Sequence, residues 1–418
     1  MAGIDGYPGG LYTTPGVSPG PRFGFAYDLF GKGRTAVRGG FGMFRDRVQG
    51  NVIYNASGNP PVTTVPTIYY GTFDTIAQGA AQGLIHGVAG PTAITQVFGV
   101  QPLPTIMNFN LGVQHQLRSM IFDVAYVGAL NRHLPLTINL NPIPMFARFQ
   151  PQNAGLTDNF LRPYQGYANV TSTQFIGTSN YDSLQASMRR RVSHGVQFGA
   201  SYTFSKALGT AGADGDGISS YFSPRFRNYG PLSFNRTQTL SINYLYSLPN
   251  LGTRMRLRPA VWVLDNWQLS GITTLQTGSP FTPGFTTTNG ADISGSTDAA
   301  RIDVVSNPYD HIPAGHYFNP AAFALPGKAT FGNAGANILY GPGTNNWDLS
   351  MTKRFRFGES RVLSVRGEAF NVWNHTQFSG LTTTAQFQPN GTQIDANFGL
   401  PSAARLPRNV QLSARFTF

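Results

Sequence analysis

"VQFGASYTFSKAL" (residues 196–208) places Val196, Phe198, Ala200, Tyr202 and Phe204 at every second position, with Gln197, Gly199, Ser201, Thr203 and Ser205 between them. A period of two is that of a β-strand with unlike faces, because successive side chains point to opposite sides of the pleat. The same period recurs on either side. "TLSINYLYSL" (239–248) sets Leu240, Ile242, Tyr244, Tyr246 and Leu248 against Thr239, Ser241, Asn243 and Ser247, with Leu245 as the exception. "NFNLGVQHQL" (108–117) sets Phe109, Leu111 and Val113 against Asn108, Asn110, Gly112 and Gln114. "NVQLSARFTF" (409–418) sets Val410, Leu412, Ala414, Phe416 and Phe418 against Asn409, Gln411, Ser413, Arg415 and Thr417. Eleven segments fit: 21–28, 35–45, 105–117, 120–130, 181–192, 196–208, 236–248, 266–279, 346–356, 361–373 and 408–418. Most hold about ten residues or more, the length a tilted strand needs to cross a bilayer.

The composition points the same way. Of 418 residues, 11% are charged, where about 25% is typical of soluble proteins. Aromatics make up 13%, and there are 49 glycines. The longest apolar runs, such as "AVWVL" (260–264), are far too short for a spanning helix. These features fit an all-β, antiparallel transmembrane barrel, in which each strand satisfies the backbone of its neighbour. The chain has no cysteine, which excludes disulfide and thiolate chemistry. "MAGIDGYPGG" (1–10) has neither the basic start nor the apolar core of a signal peptide. The net charge of +12 comes from Lys and Arg scattered singly, apart from Arg189-Arg190-Arg191 at a strand end, where a barrel meets lipid headgroups. That scatter argues against a nucleic-acid partner.

The connections separate a barrel from a soluble sandwich. Short ones (29–34, 118–119, 193–195, 357–360, and a medium one at 249–265) alternate with long ones (46–104, 131–180, 209–235, 280–345, 374–407). Short periplasmic turns and long extracellular loops are the barrel pattern. No Asp or Glu is expected on an apolar face; Arg38, Asp123, Arg189, Asp348, Arg366, Glu368 and Arg415 fall opposite. Lys353 falls on the apolar face beside a short turn, where it can snorkel. Trp267, Trp347 and Tyr27 sit near strand ends, as an aromatic girdle requires. Eleven is odd, whereas single-chain bacterial barrels are even, and open edges are costly in lipid. The expectation is therefore that residues 21–418 are the C-terminal part of a larger barrel and residues 1–20 a truncated segment or loop remnant.

Candidate chemistry is sparse. Asp310, His311 and His316 share a loop but fall short of the three or four converging ligands a metal needs. "GADGDG" (212–217) lacks the spacing of a calcium loop, and "GKGR" and "GPGTNN" lack that of a phosphate loop. No catalytic set, metal or cofactor is expected. Arg366 and Glu368, two apart in one strand, read as an ion pair in the lumen or a plug contact rather than as catalysis. Tyr69, Tyr70, Phe73, Tyr221, Phe222 and Tyr317 lie in polar loops, where aromatics either grip a ligand or pack the loops together.

Five stretches, "PRFGFAYDLFGKGRTAVRGGFGMFRD" (21–46), "YDSLQASMRRRVSHGVQFGASYTFSKAL" (181–208), "NWQLSGITTLQTGSPFTP" (266–283), "YFNPAAFALPGKATFGNAGANILYGPGTNNWDLSMTKRFRF" (317–357) and "LSVRGEAFNVWNHTQFS" (363–379), together resemble the C-terminal barrel of TonB-dependent outer-membrane receptors of the Oar-like type. The resemblance implies a 22-stranded barrel closed by a plug, of which eleven strands are half. It implies a place in the Gram-negative outer membrane and uptake of an extracellular ligand by the complete protein. Arg38, Asp123, Arg366 and Glu368 would then face the lumen and the plug. Val410, Leu412, Phe416 and Phe418 would form the signal read by the barrel-assembly machinery. Outer-membrane lipid and lipopolysaccharide are the implied surroundings; the plug and TonB are partners of the full-length protein only, since no plug or TonB box is matched in this chain. The alternatives are a structural or adhesion barrel presenting its loops, and a gene fragment with no function of its own.

Overall fold

The computed structural model describes residues 13, 16–50, 54–59, 91–97, 101–193, 195–210, 212–213, 215–358 and 360–418. Each of the eleven segments is a strand: β1 (Arg22–Asp28), β2 (Thr35–Arg45), β3 (Thr105–Leu117), β4 (Met120–Asn139), β5 (Tyr167–Ser193), β6 (Val196–Gly209), β7 (Gln238–Ser247), β8 (Trp267–Gln276), β9 (Thr344–Phe357), β10 (Arg361–Phe370) and β11 (Asn409–Thr417). They pair in chain order, each antiparallel to the next, in one sheet. This is the meander that short hairpins impose.

β4 and β5 run well beyond the expected 120–130 and 181–192. Their added parts, 131–139 and 167–180, are mixed in polarity, so a period-two test does not find them. They are held instead by their pairing with each other across a register shift at Arg132–Pro135, where His133 takes a φ of 57°. A strand at Thr92–Val97 adds to β5 in parallel. At 20 and 27 residues, the two strands exceed what a bilayer requires and carry the sheet past the membrane on the long-loop side.

The short turns are built locally. In the β1–β2 turn the Asp28 carboxylate accepts the amide N–H of Gly33 at 2.6 Å, and Gly31 and Gly33 take φ of 64° and 63°, a region that suits glycine. Two short helices, Leu251–Met255 and Arg258–Leu264, form the β7–β8 connection.

Two expectations about the apolar face are corrected. Asp182 lies on it, in register with Gly128 and Lys206 and accepting a hydrogen bond from the Tyr126 hydroxyl at 2.5 Å. It stands far up β5 from the short turn, at the outer rim of the apolar band, where a carboxylate is tolerated. Lys353 does not snorkel to water. It is 4% exposed, and its Nζ donates to the carbonyls of Val263 and Asp265. The C-terminal end of the second helix caps the ammonium, as orphan carbonyls favour a cation. The rings of Trp267 and Phe355 flank it, with centroids 5.4 and 5.2 Å away.

The densest apolar core lies in the loops rather than the sheet. Ile302, Phe318, Ala322, Phe323, Ala334, Leu339, Ala385, Phe387 and Phe398 are buried in one cluster. Short strand pairs stitch the same layer: Pro280–Phe281 with Leu339–Tyr340, Gly284–Thr287 parallel to Thr384–Phe387, Asp303–Val304 with Phe323–Ala324, and Phe378–Leu381 with Pro401–Ala404. The connections 277–343 and 371–408 thus fold as one unit over the long-loop end of the sheet.

Among the described residues no pairing joins β1 to β11, so these are the two edges of the sheet. Both run from the long-loop end to the short-turn end. Pairing them would be parallel, unlike every step of the eleven-strand path.

Candidate lumen face and loop layer

The register fixes which residues share a face. Arg38 lies beside Gly112, and Asp123 beside Gln114 and Ser187, on one face of β2 to β5. Asp348, Arg366 and Glu368 occupy the same face of β9 and β10, continuous with Gln411, Ser413 and Arg415 of β11. Arg366 Nη2 pairs with Glu368 Oε1 at 2.7 Å, and its Nε donates to Ser350 Oγ at 3.0 Å. The expected ion pair is therefore formed. Asp348 Oδ1 accepts from the Asn371 amide and the Asn346 side chain, both at 2.9 Å, and so anchors the start of a long loop. The four proposed lumen residues form two groups: Arg366 and Glu368 meet, while Arg38 and Asp123 lie several strands away.

Sequence reading missed the apolar members of this face. Ile272 pairs with Asp348 and with Asn243, and Leu245 pairs with Ser270. With Phe370 in register with Asn409, they make part of the polar face greasy beside the ion pair. Leu245 was visible as an exception in its strand; Ile272 had no such marker.

On the opposite face, Leu111, Val113, Leu184, Phe204, Met351, Leu412 and Phe416 stand exposed. Val410, Leu412, Phe416 and Phe418 all lie on the outer side of β11, and the rings of Phe416 and Phe418 stack at 6.3 Å.

In the loop layer, the Tyr221 hydroxyl donates to the Ile143 carbonyl and accepts the Thr297 amide at 2.9 Å. Phe222 meets the Phe331 ring edge-on at 5.2 Å. The Arg227 guanidinium lies 5.6 Å from the Phe222 ring and 5.5 Å from that of Phe331. Tyr317 packs against the buried cluster, its amide bonded to the Gly399 carbonyl at 3.0 Å. These three aromatics knit the layer together. Tyr69, Tyr70 and Phe73 lie outside the described residues, as does Asp214. Asp216 caps a turn, accepting the amides of Gly212 and Ala213 at 2.9 Å. Among the described residues no group of three His, Asp or Glu could hold a metal.

Arginines clamp the loops. Arg301 donates to the carbonyls of Arg227 and Ala334 and to Asn228. Burial, and then the nearby Arg227, pull it down to about 10, which leaves it charged at neutral pH. Arg148 forms a fork on Asp158 at 2.9 and 3.0 Å and reaches Asp292 and the Ser296 carbonyl, each at 2.8 Å. The Arg148 hydrogen bond holds the Asp158 carboxyl below its usual range against the opposing effect of partial burial, and the charges of Arg148 and Arg162 assist. A depressed carboxylate contributes stability above its ordinary pKa, near 4, and loses it as pH falls through the depressed value. Amide protection relative to the intrinsic exchange rate should therefore fall across 147–161 below about pH 4 while that of β6 and β7 stays unchanged. The effect is modest, because Asp158 is half exposed and screened. Unchanged protection of the 147–161 segment on acidification would contradict the clamp. Sequence offered no sign of these clamps, since Arg148 and Asp292 are 144 residues apart.

A long antiparallel meander with one apolar and one polar face, short turns at one end and folded loops at the other, defines the class of transmembrane β-barrel proteins. The chain belongs to the outer membrane beta barrel domain family, whose model matches residues 1–411, and its place is the outer membrane of a Gram-negative cell. Solved structures similar to it include the outer membrane transporter YddB from Escherichia coli, at 11% identity and a TM-score of 0.46 over 96% of this chain and 40% of that one. The ferric citrate transporter FecA matches at 9% identity and a TM-score of 0.41, over 96% and 38%. The ferripyoverdine receptor of Pseudomonas aeruginosa matches at 12% and 0.41, over 96% and 33%. The chain thus spans about two fifths or less of the length of these structures. No curated protein sequence matches it significantly.

Proposed function

We propose that the chain is the C-terminal half of a plugged outer-membrane transporter of the TonB-dependent type, whose complete form takes up a ligand. The observation that carries this reading is the eleven-strand path whose two edges run in the same direction. Neither self-closure nor a second copy supplies an antiparallel neighbour to both edges. A partner sheet with an odd number of strands, beginning and ending in the opposite sense, does; eleven such strands complete the 22 of plugged transporters. The five stretches resembling Oar-like receptors and the charged, polar face support the same reading.

The reading is tested in cells carrying the full-length gene. A plug seated on Arg38, Asp123, Arg366 and Glu368 seals the lumen against vancomycin. Replacing all four with alanine should loosen that seal and raise vancomycin sensitivity several-fold, with the barrel still present in the outer-membrane fraction. A barrel that only presents adhesive loops would show unchanged sensitivity, and the transport reading would fall.

A further inference from the structure

The two helices between β7 and β8 do something a periplasmic turn does not require. They fold back over the lipid-facing side of the sheet rather than projecting from its rim. The Trp262 ring lies 5.9 Å from Phe355 and 5.4 Å from Phe357, both on the apolar face of β9. Trp267 Nε1 donates to the Val263 carbonyl at 2.7 Å. The helices pack so closely that a Cβ on Gly252 would lie 2.4 Å from the Ala260 backbone. Asp265 fixes the hairpin from within: it is 1% exposed and accepts the amides of Gly252 at 2.6 Å and Thr253 at 3.0 Å.

With its one carboxylate consumed internally, the outer surface is cationic and apolar. Arg254, Arg256 and Arg258 are exposed, and none has an ion pair or side-chain hydrogen bond among the described residues. Beside them Leu257, Trp262 and Val263 are 53%, 51% and 64% exposed. Exposed apolar side chains next to unpaired guanidinium groups, at the end of a lipid-facing band, have the composition of an interfacial anchor. Guanidinium forks match the oxygens of a phosphate.

We infer that this hairpin is a phospholipid site in the periplasmic leaflet: Arg254, Arg256 and Arg258 bind the phosphates of anionic headgroups while Trp262 and its neighbours enter the acyl boundary. The occupant is a lipid rather than a soluble phosphate, because the arginines are continuous with the apolar band. The inference rests on the outer-membrane placement, not on transport.

The test uses the full-length protein, with the strands that complete the barrel, reconstituted in phosphatidylcholine vesicles carrying either brominated phosphatidylglycerol or brominated phosphatidylcholine at equal bromine content. The signal of Trp262 is isolated by difference from Trp262→Phe. Quenching by the anionic lipid should exceed that by the zwitterionic one by about fivefold or more, given the attraction of each basic residue to an anionic surface. The triple variant Arg254→Gln/Arg256→Gln/Arg258→Gln should bring the two lipids level, and the corresponding triple Lys variant should keep a preference. Added inorganic phosphate should not abolish the preference; if it does, the site takes free phosphate and the lipid proposal fails. Equal quenching in the unaltered chain, or a preference surviving in the triple Gln variant, overturns it. Quenching of the remaining tryptophans without Trp262 removes the hairpin site alone. Quenching of none removes the lipid-face assignment as well.

Discussion

Phe318→Ala should unlock the loop layer while leaving the eleven-stranded sheet paired. Phe318 is fully buried at the centre of the loop cluster. Its ring meets Phe398 edge-on at 4.9 Å and Phe323 at 5.6 Å, and lies 6.2 Å from Phe281. Phe281 and Phe323 belong to 277–343 and Phe398 to 371–408, so one ring joins the two connections. Truncating a buried Phe to Ala costs about 3–5 kcal/mol through lost transfer energy and the cavity left behind. None of that cost falls on β1 to β11, whose pairing does not involve the cluster. Limited proteolysis of the membrane-embedded protein should therefore cut the variant within both connections, at a rate at least tenfold above the unaltered chain, with strand fragments still protected. Equal protection of both connections would mean that the layer is held from elsewhere. Loss of the whole barrel from the membrane would mean that loops and sheet are not separable units.

How much of this was legible in the sequence follows from which contacts are local. A strand's face is encoded in consecutive residues, so Val196 to Phe204 and Val410 to Phe418 were readable as they stood. Turns were equally local: Asp28 accepts the amide of Gly33, five residues on. The extensions of β4 and β5 were missed because they rise beyond the bilayer, where no lipid enforces alternation. The snorkelling expected of Lys353 failed for a different reason. Its partners are the carbonyls of a helix end about 90 residues earlier in the chain, and period-two logic says nothing about a hairpin folding over a face. The aromatics of the loops were seen as a group, but two readings stayed open. Tyr221, Phe222 and Tyr317 are engaged with Phe331 and the buried cluster, and that packing depends on pairings that span up to about a quarter of the chain. The arginine clamps escaped for the same reason. Arg366 and Glu368 did not, because strand geometry alone puts residues i and i+2 on one side.

Leu111→Arg and Asn110→Arg should have opposite consequences although the two positions adjoin. Leu111 is the central residue of β3 and is 55% exposed on the apolar face, between Gly39 and Tyr126. Asn110, between Gly40 and Val127, points to the polar face. In water alone the substitutions would be nearly equivalent, since both side chains are exposed and surface changes usually stay within about 0.5 kcal/mol. In a bilayer they are not. An arginine at mid-depth on the lipid face costs about 2–4 kcal/mol, and from the centre of the strand its chain has the longest reach to either interface. On the polar face the same group joins Arg38 and Asp123, on the side proposed to line a hydrated lumen. Urea unfolding in phosphatidylcholine vesicles should show Leu111→Arg destabilised by about 2–4 kcal/mol and Asn110→Arg by about 0.5 kcal/mol or less. A second pair, Leu412→Arg and Gln411→Arg on β11, should repeat the contrast if that edge is covered by a neighbouring strand in the complete barrel. Equal costs at 110 and 111 would show that the apolar face does not meet lipid, and the assignment of the two faces would have to be reversed or abandoned.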